Sequence, residues 1–222
     1  MVAEVTGLPL IGTGRQADVF ALDDHRVLRR YRDGTDTTPE AEIMAHLARF
    51  DFPIPQVYEV GGTDLILERL DGTTMTEAFT TGRIDVAEGA ACLADLHHRL
   101  HTLPARTARH PGDRILHRDL HPENVLLTSR GPVVIDWNNA SEGPPEVDVA
   151  LTAVILGQVA ADPAHPMASA ARSFLTAFAR VAGVDVLAGL DEAVLIRAAD
   201  PALTSDDVAR LPSVAALITF LS

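Results

Sequence analysis

The stretch HRDLHPENVLLTSRGPVVIDW, residues 117 to 137, gathers the side chains best suited to chemistry in this 222-residue chain. Asp119 and Asn124 precede the short apolar run NVLL, Asp136 ends the run VVID, and Thr128-Ser129-Arg130-Gly131-Pro132 lies between the runs. A turn of that composition folds the second run back beside the first, so antiparallel pairing brings Asn124 and Asp136 to one end of a hairpin. Asp119 stands five residues before Asn124 across a loop containing Pro122 and can arch over the same opening. Converging oxygen donors of this kind suit Mg²⁺, which keeps several waters and binds one or two carboxylates together with substrate phosphates.

Such a site needs a second element that holds phosphates. IGTGRQADVF sets Gly12, Gly14 and Ala17 at the positions of G-x-G-x-x-G, with Val19 two places later. Small residues there let backbone N–H groups approach phosphates closely, although a surface hairpin turn has the same pattern.

The positioning elements follow from periodicity. ADVFAL (17 to 22) and RVLRRY (26 to 31) flank Asp23-Asp24-His25, while QVYEV and DLILERL flank Gly61-Gly62, which reads as a small antiparallel sheet. One helix interrupts it, with Thr38 as cap and Pro39 at the first helical position. Glu40, Ile43, Met44 and Leu47 form its inward stripe, and Glu42, His46 and Arg49 fall on the wetter side. After residue 71 the pattern turns helical apart from the hairpin: DVAEGAACLADLHHRLHTLP, VDVALTAVILGQ, ASAARSFLTAFARVAG, LDEAVLIRAA and SDDVARLPSVAALITF are separated by Pro, Gly and Asp. The expected class is α+β with two lobes, residues 1–70 and 71–222.

A formal charge of −13 argues against nucleic acid and anionic membranes as partners and suits a cationic substrate, although a solvated acidic surface accounts for the same charge. No apolar run approaches the roughly 20 residues of a membrane span. The acidic start MVAEVTGLPL and the lone Cys92 fit a reducing cytoplasm.

HRDLHPEN matches the H-R-D-x-x-x-x-N catalytic loop of protein kinases, and VIDW stands where D-F-G follows in them. With LADLHHRLHTLP, VVIDWNNASEGPPEVDVA and LILERLDG, the chain resembles the aminoglycoside phosphotransferase and choline kinase-like family over roughly residues 10 to 150. The resemblance implies a two-lobed protein kinase-like fold: a nucleotide-binding N-lobe with a small antiparallel sheet and one helix, and a helical C-lobe carrying the catalytic hairpin and the acceptor site. It implies Mg²⁺-dependent transfer of the γ-phosphoryl group of ATP, or GTP, to a hydroxyl of a small molecule, an aminoglycoside-like cation being one candidate. Asp119 matches the catalytic base, and Asn124 and Asp136 match the two metal ligands. Gly12, Gly14, Ala17, Val19 and Val27 fall to the nucleotide, and adenine would hang from the backbone near Glu68 to Leu70. Asp148 matches an acid that braces the catalytic loop.

A strand cation held by a helix acid completes the family's pattern. Arg29, on the face of Val27, and Glu40 fit it, and Arg30 is the alternative if the register slips by one residue. The family usually has Lys there, and the planar fork of Arg demands a different geometry. Ala17 also replaces the third glycine, and Arg118 replaces a glycine frequent in the antibiotic kinases. The stretch after Asp136 is too short for a long phosphorylated activation segment.

Two rival readings use the same residues. His117, Asp119 and His121 form H-x-D-x-H, and His97 and His101 sit one helical turn apart, spacings that suit a metal-dependent hydrolase. Arg29 suits a nucleotide-binding member of the fold with little or no turnover. Glu142, Glu146, Asp191 and Glu192 are acids available to a cationic acceptor, and the acceptor's identity and the oligomeric state stay open.

Overall fold

The structure is a computed structural model that describes residues 6–222. In chain order the strands and helices are Leu10–Thr13 (β1), Ala17–Ala21 (β2), Arg26–Tyr31 (β3), Thr38–Ala48 (α1), Val57–Gly61 (β4), Asp64–Glu68 (β5), Thr73–Thr74 (β6), Met75–Thr80 (α2) and Val86–Thr102 (α3). There follow Arg114–Leu116 (β7), Val125–Thr128 (β8), Gly131–Val134 (β9), Ser141–Gly143 (β10), Pro145–Ala161 (α4), Ala168–Val181 (α5), Leu190–Ala198 (α6) and Ser205–Leu221 (α7), with short 3-10 turns at Pro122–Asn124 and Val186–Gly189. They pack as two compact units, one of the described residues up to Thr73 with Leu126–Asn139, the other of Thr74–Val125 with Ala140–Ser222. The fold is α+β, with an antiparallel sheet in the first unit and a mainly helical second unit.

In the first unit the sheet runs β1-β2-β3-β5-β4, every pair antiparallel. Pairing sets Val19, Arg29 and Leu65 side by side and Ala21, Val27 and Leu67 in the next row of the same face. Strand alternation sends Arg30 to the other face, directly opposite Asp64, which it grips at 2.7 and 2.6 Å. The core holds Leu28, Leu65, Met44, Leu47 and Trp137, each almost wholly buried. Trp137 meets Phe52 edge to face, with ring centroids 5.7 Å apart, and its Nε1–H donates to Val134 O at 3.1 Å. Gly72 has φ +92 and a Cβ there would fall 2.1 Å from Leu127 O, so only glycine lets this connector pass β8.

Helix α1 begins one residue earlier than its Thr-Thr-Pro start suggests. Thr37, not Thr38, is the N-cap, and it donates its hydroxyl to Gly62 O and Asp64 O rather than capping. Asp36 takes over locally, accepting from the backbone and hydroxyl of Thr38. Glu40, Ile43, Met44 and Leu47 are buried and Glu42 is exposed.

In the second unit α3 opens with a reciprocal capping box between Asp85 and Glu88. Helix α4 is apolar nearly all round and buried from Val147 through Gly157, so it is the helix around which α5, α6 and α7 pack, with α3 laid against α5. Gly157 permits the approach of α7, since a Cβ there would lie 2.7 Å from Val214 Cγ1. The two-stranded ribbon of β7 and β10 aligns Leu116, just before the His117–Asn124 loop, with Ser141. Among the described residues no single helix is long and apolar enough to cross a membrane.

Candidate active site

The candidate residues fall into one cluster per unit. In the first, Arg29 spans two carboxylates: Nη1 donates to Glu40 Oε1 at 2.7 Å and Nη2 to Asp136 Oδ1 at 2.5 Å. Glu40 is further fixed by Tyr31, whose hydroxyl donates to Oε2 at 2.7 Å, and by the backbone N–H of Trp137, 3.2 Å from Oε1. The guanidinium carbon of Arg29 also lies 4.9 Å from the Tyr31 ring centroid, within cation–π range. Burial works against the Arg29 charge, but Asp136 and Glu40 outweigh it and raise its pKa. Burial likewise pushes the Tyr31 phenol up, so it stays a neutral donor to Glu40.

Only the Asp136 end of this cluster opens to solvent: its side chain is 37% exposed, against 11% for Arg29 and 4% for Glu40. The backbone of Asp136 is left-handed, φ 66, between the strand end and the anchored Trp137. Aspartate tolerates that conformation better than most residues, and strain held at such a position is typical of functional turns. Oδ2 of Asp136 has no hydrogen-bond partner among the described residues.

The glycine loop is the β1–β2 hairpin. Gly14 N–H donates to Ala17 O at 2.8 Å, Gly12 pairs with Val19, and Ala17 is buried. Arg32 pins the turn from below, donating to Gly14 O at 2.8 Å and to Arg15 O and Asp18 Oδ1 at 2.5 Å. Asn138, two residues past Asp136, donates to Gln16 Oε1 at the loop tip, 2.6 Å away. Neither Gly12 nor Gly14 has a positive φ. At the connector Glu68 spends its N–H on Gln56 O and its carboxylate on Arg130 and Gln56 N. Leu70 differs: among the described residues its backbone N–H and C=O make no hydrogen bond.

In the second unit Asp148 on α4 holds the loop that starts at His117 by its backbone. It accepts from His117 N at 3.1 Å and Arg118 N at 2.6 Å, and from His101 Nε2 at 3.0 Å. Thr152, one turn later, donates to Leu120 O at 2.6 Å, so its oxygen must accept from His97 Nε2–H, 2.9 Å away. That tautomer leaves His97 Nδ1 without a hydrogen bond, 3.5 Å from Asp148 Oδ2. Burial pushes His97 down. Burial would raise Asp148, but the hydrogen bond from His101 overcomes it and holds the carboxyl well below the usual range.

With the loop so held, Arg118 takes a left-handed φ of 65 and turns the chain into Asp119. Asn124 Nδ2 donates to Asp119 O at 2.8 Å and Oδ2 at 3.2 Å, which leaves the amide oxygen of Asn124 without a partner among the described residues. His121 Nε2 lies 3.7 Å from Asp119 Oδ1. Burial opposes the Asp119 charge, yet His121, His117 and Arg197 outweigh it and keep its pKa below the ordinary carboxylate value. Asp119 is therefore an ionised acceptor at neutral pH.

Of the two histidine spacings, H-x-D-x-H does not form a metal-ligand cluster among the described residues, whereas His97 and His101 do meet, together with Asp148. His117 Nδ1 accepts the N–H of Asp119 at 3.2 Å, and among the described residues the group of three whose ligand atoms lie within 4.8 Å of one another is His97, His101 and Asp148. Glu142 is occupied, accepting from Arg106 N, Thr107 N and the Thr107 hydroxyl, whereas Asp191 and Glu192 are exposed at the start of α6. Sequence reasoning passed over Tyr31, although strand alternation puts it on the face of Val27 and Arg29, and it passed over Thr152, whose role depends on a histidine 55 residues away.

Comparisons with known proteins give the family and the fold. A sequence model of the phosphotransferase enzyme family matches residues 7–114 and 77–184. No curated protein matches the sequence. Among solved structures, a thermostable mutant of the aminoglycoside phosphotransferase APH(4)-Ia is 17% identical, covering 96% of this chain and 94% of that one with a TM-score of 0.66. A choline/ethanolamine kinase family protein from Mesorhizobium loti is 16% identical over 98% of this chain and 94% of its own, TM-score 0.62. An amicoumacin kinase in complex with AMP-PNP, Ca²⁺ and its antibiotic is 12% identical over 95% and 87%, TM-score 0.57.

Proposed function

Because the chain belongs to the phosphotransferase enzyme family and is a small-molecule kinase, we propose that it moves the γ-phosphoryl group of ATP or GTP, as a magnesium complex, to a hydroxyl of a cationic small molecule. The observation that carries the reading is the catalytic loop, where Asp148 grips the backbone of His117 and Arg118 and Asn124 grips Asp119. A carboxylate held that firmly, ionised and partly open to solvent, can orient an acceptor hydroxyl and take its proton.

The donor oxygens fit magnesium. The amide oxygen of Asn124 in the second unit and Oδ2 of Asp136 in the first are each hard donors without partners among the described residues, the ligand chemistry magnesium takes, and the ion would supply charge neutralisation to donor phosphates. Arg29, locked to Glu40, supplies a fixed positive charge for the phosphates. The open backbone of Leu70 suits the edge of a purine. Solved structures of the same fold bear names of aminoglycoside, amicoumacin and choline/ethanolamine kinases, and the −13 charge here supports a cationic acceptor of that breadth.

A second reading, nucleotide binding with little turnover, is favoured by the Arg29–Asp136 contact, which occupies one oxygen of a metal ligand. Phosphate transfer from γ-labelled ATP and GTP to a panel of aminoglycosides, amino alcohols, sugars and nucleosides separates the two. Labelled product that disappears in Asp119→Asn supports the kinase. Tight nucleotide binding with no product from any acceptor supports the second reading.

A further inference from the structure

Arg29 and a divalent cation require the same carboxylate. The guanidinium reaches both acids because its two terminal nitrogens diverge: Nη1 sits on Glu40 and Nη2 on Asp136. These two contacts are not equivalent. Glu40 is 4% exposed and is also held by the Tyr31 hydroxyl and the Trp137 N–H, so it cannot follow a moving partner. Asp136 is 37% exposed and fixed only through its backbone, and Arg29 is the one group that holds its side chain among the described residues. The Nη1 contact is an anchor, and the Nη2 contact is the arm that can let go.

We propose that Arg29 is an internal competitor for the cation at Asp136, a positioning residue that sets the cation concentration at which the donor site loads. The inference rests on the magnesium–nucleotide reading above. Without cation, Nη2 neutralises Asp136 and holds its carboxylate turned toward the sheet. On loading, the cation takes the carboxylate while Nη1 keeps its grip on Glu40, and the freed Nη2 becomes available to an oxyanion of the donor phosphates. A lysine ammonium at this position is a single point charge and cannot occupy both acids through two divergent arms. The arginine therefore couples cation entry to the appearance of a phosphate ligand.

The test is Mn²⁺ binding, followed by electron paramagnetic resonance in the presence of ADP, for wild type, Arg29→Lys, Arg29→Gln and Asp136→Asn. The apparent affinity is reduced by the fraction of molecules in which Asp136 is released, so removing the second arm should lower half-saturation by about ten-fold in Arg29→Lys and at least as much in Arg29→Gln. Half-saturation equal to or higher than wild type in both Arg29 variants, with Mn²⁺ binding lost in Asp136→Asn, overturns the competition and leaves the metal assignment standing. Undiminished Mn²⁺ binding in Asp136→Asn overturns both. Wild-type protein gives a check that does not depend on the variants folding: in arginine-¹⁵N-labelled protein the Arg29 side-chain resonance should shift when Mg²⁺ is added with ADP, and a resonance that stays in place contradicts the proposal.

Discussion

Asp148 Oδ1 receives the backbone N–H of Arg118 at 2.6 Å, so a helix residue fixes the chain immediately before Asp119. The carboxylate has no exposed surface and satisfies two loop N–H groups and His101 together. Asp148→Ala leaves these donors buried and unpaired, and unfolding free energy should fall by about 3 kcal/mol or more. Urea denaturation at pH 7.5 reads the loss, and a change below about 1 kcal/mol would remove Asp148 as the brace.

The same network makes the fold acid-sensitive. The folded pKa of His97 lies below its ordinary 6.5, chiefly through burial, so as pH falls below 6.5 the unfolded chain takes up a proton that the folded chain refuses. Stability should therefore drop through that window. Asp148, also depressed, adds a further loss only below its ordinary 3.8. The urea midpoint should fall between pH 7.5 and 5, and His97→Gln should flatten that fall. An equally steep fall in the variant would place the proton uptake elsewhere.

Asp119→Asn keeps the size of the side chain and removes its charge. Phosphoryl transfer should drop by about 10² to 10⁴ while nucleotide affinity stays within about two-fold. Because Asp119 titrates below the ordinary carboxylate value, its protonation should cost the wild type no activity between pH 5 and 8. Steady-state rates across that range, with and without the substitution, test both statements.

Trp137 is the sole tryptophan, fully buried, and its backbone N–H rests on Glu40 beside Asp136. Its fluorescence should report events at Asp136: addition of Mg²⁺ and nucleotide should change the emission in wild type and leave Asp136→Asn silent. Trp137→Ala removes the centre of the first unit's core, and about 3 to 5 kcal/mol of stability should go with it. A response that persists in Asp136→Asn would detach the fluorescence from the metal ligand.

Much of this was legible locally. Alternation in RVLRRY put Arg29 on the face of Val27 and opposite to Arg30, and helical spacing turned Glu40 inward. The hairpin announced itself through two apolar runs around Gly131-Pro132, and the helices through apolar spacing and the Pro, Gly and Asp breakers between them. The pairing of β7 with β10 was not legible, because three-residue strands carry no period and are chosen by long-range packing. Nor was the N-cap, since Asp36, Thr37 and Thr38 all have capping side chains and tertiary contacts to Gly62 and Asp64 decided among them. The second arm of Arg29 joins residues 107 positions apart, beyond any local pattern.

The most direct measurement is calorimetric titration with ATP and with GTP, each with and without Mg²⁺, because it needs no knowledge of the acceptor. The account predicts saturable binding of at least one nucleotide that strengthens markedly with Mg²⁺ and loses that gain in Asp136→Asn. Absence of binding to either nucleotide, or binding indifferent to Mg²⁺, would contradict it.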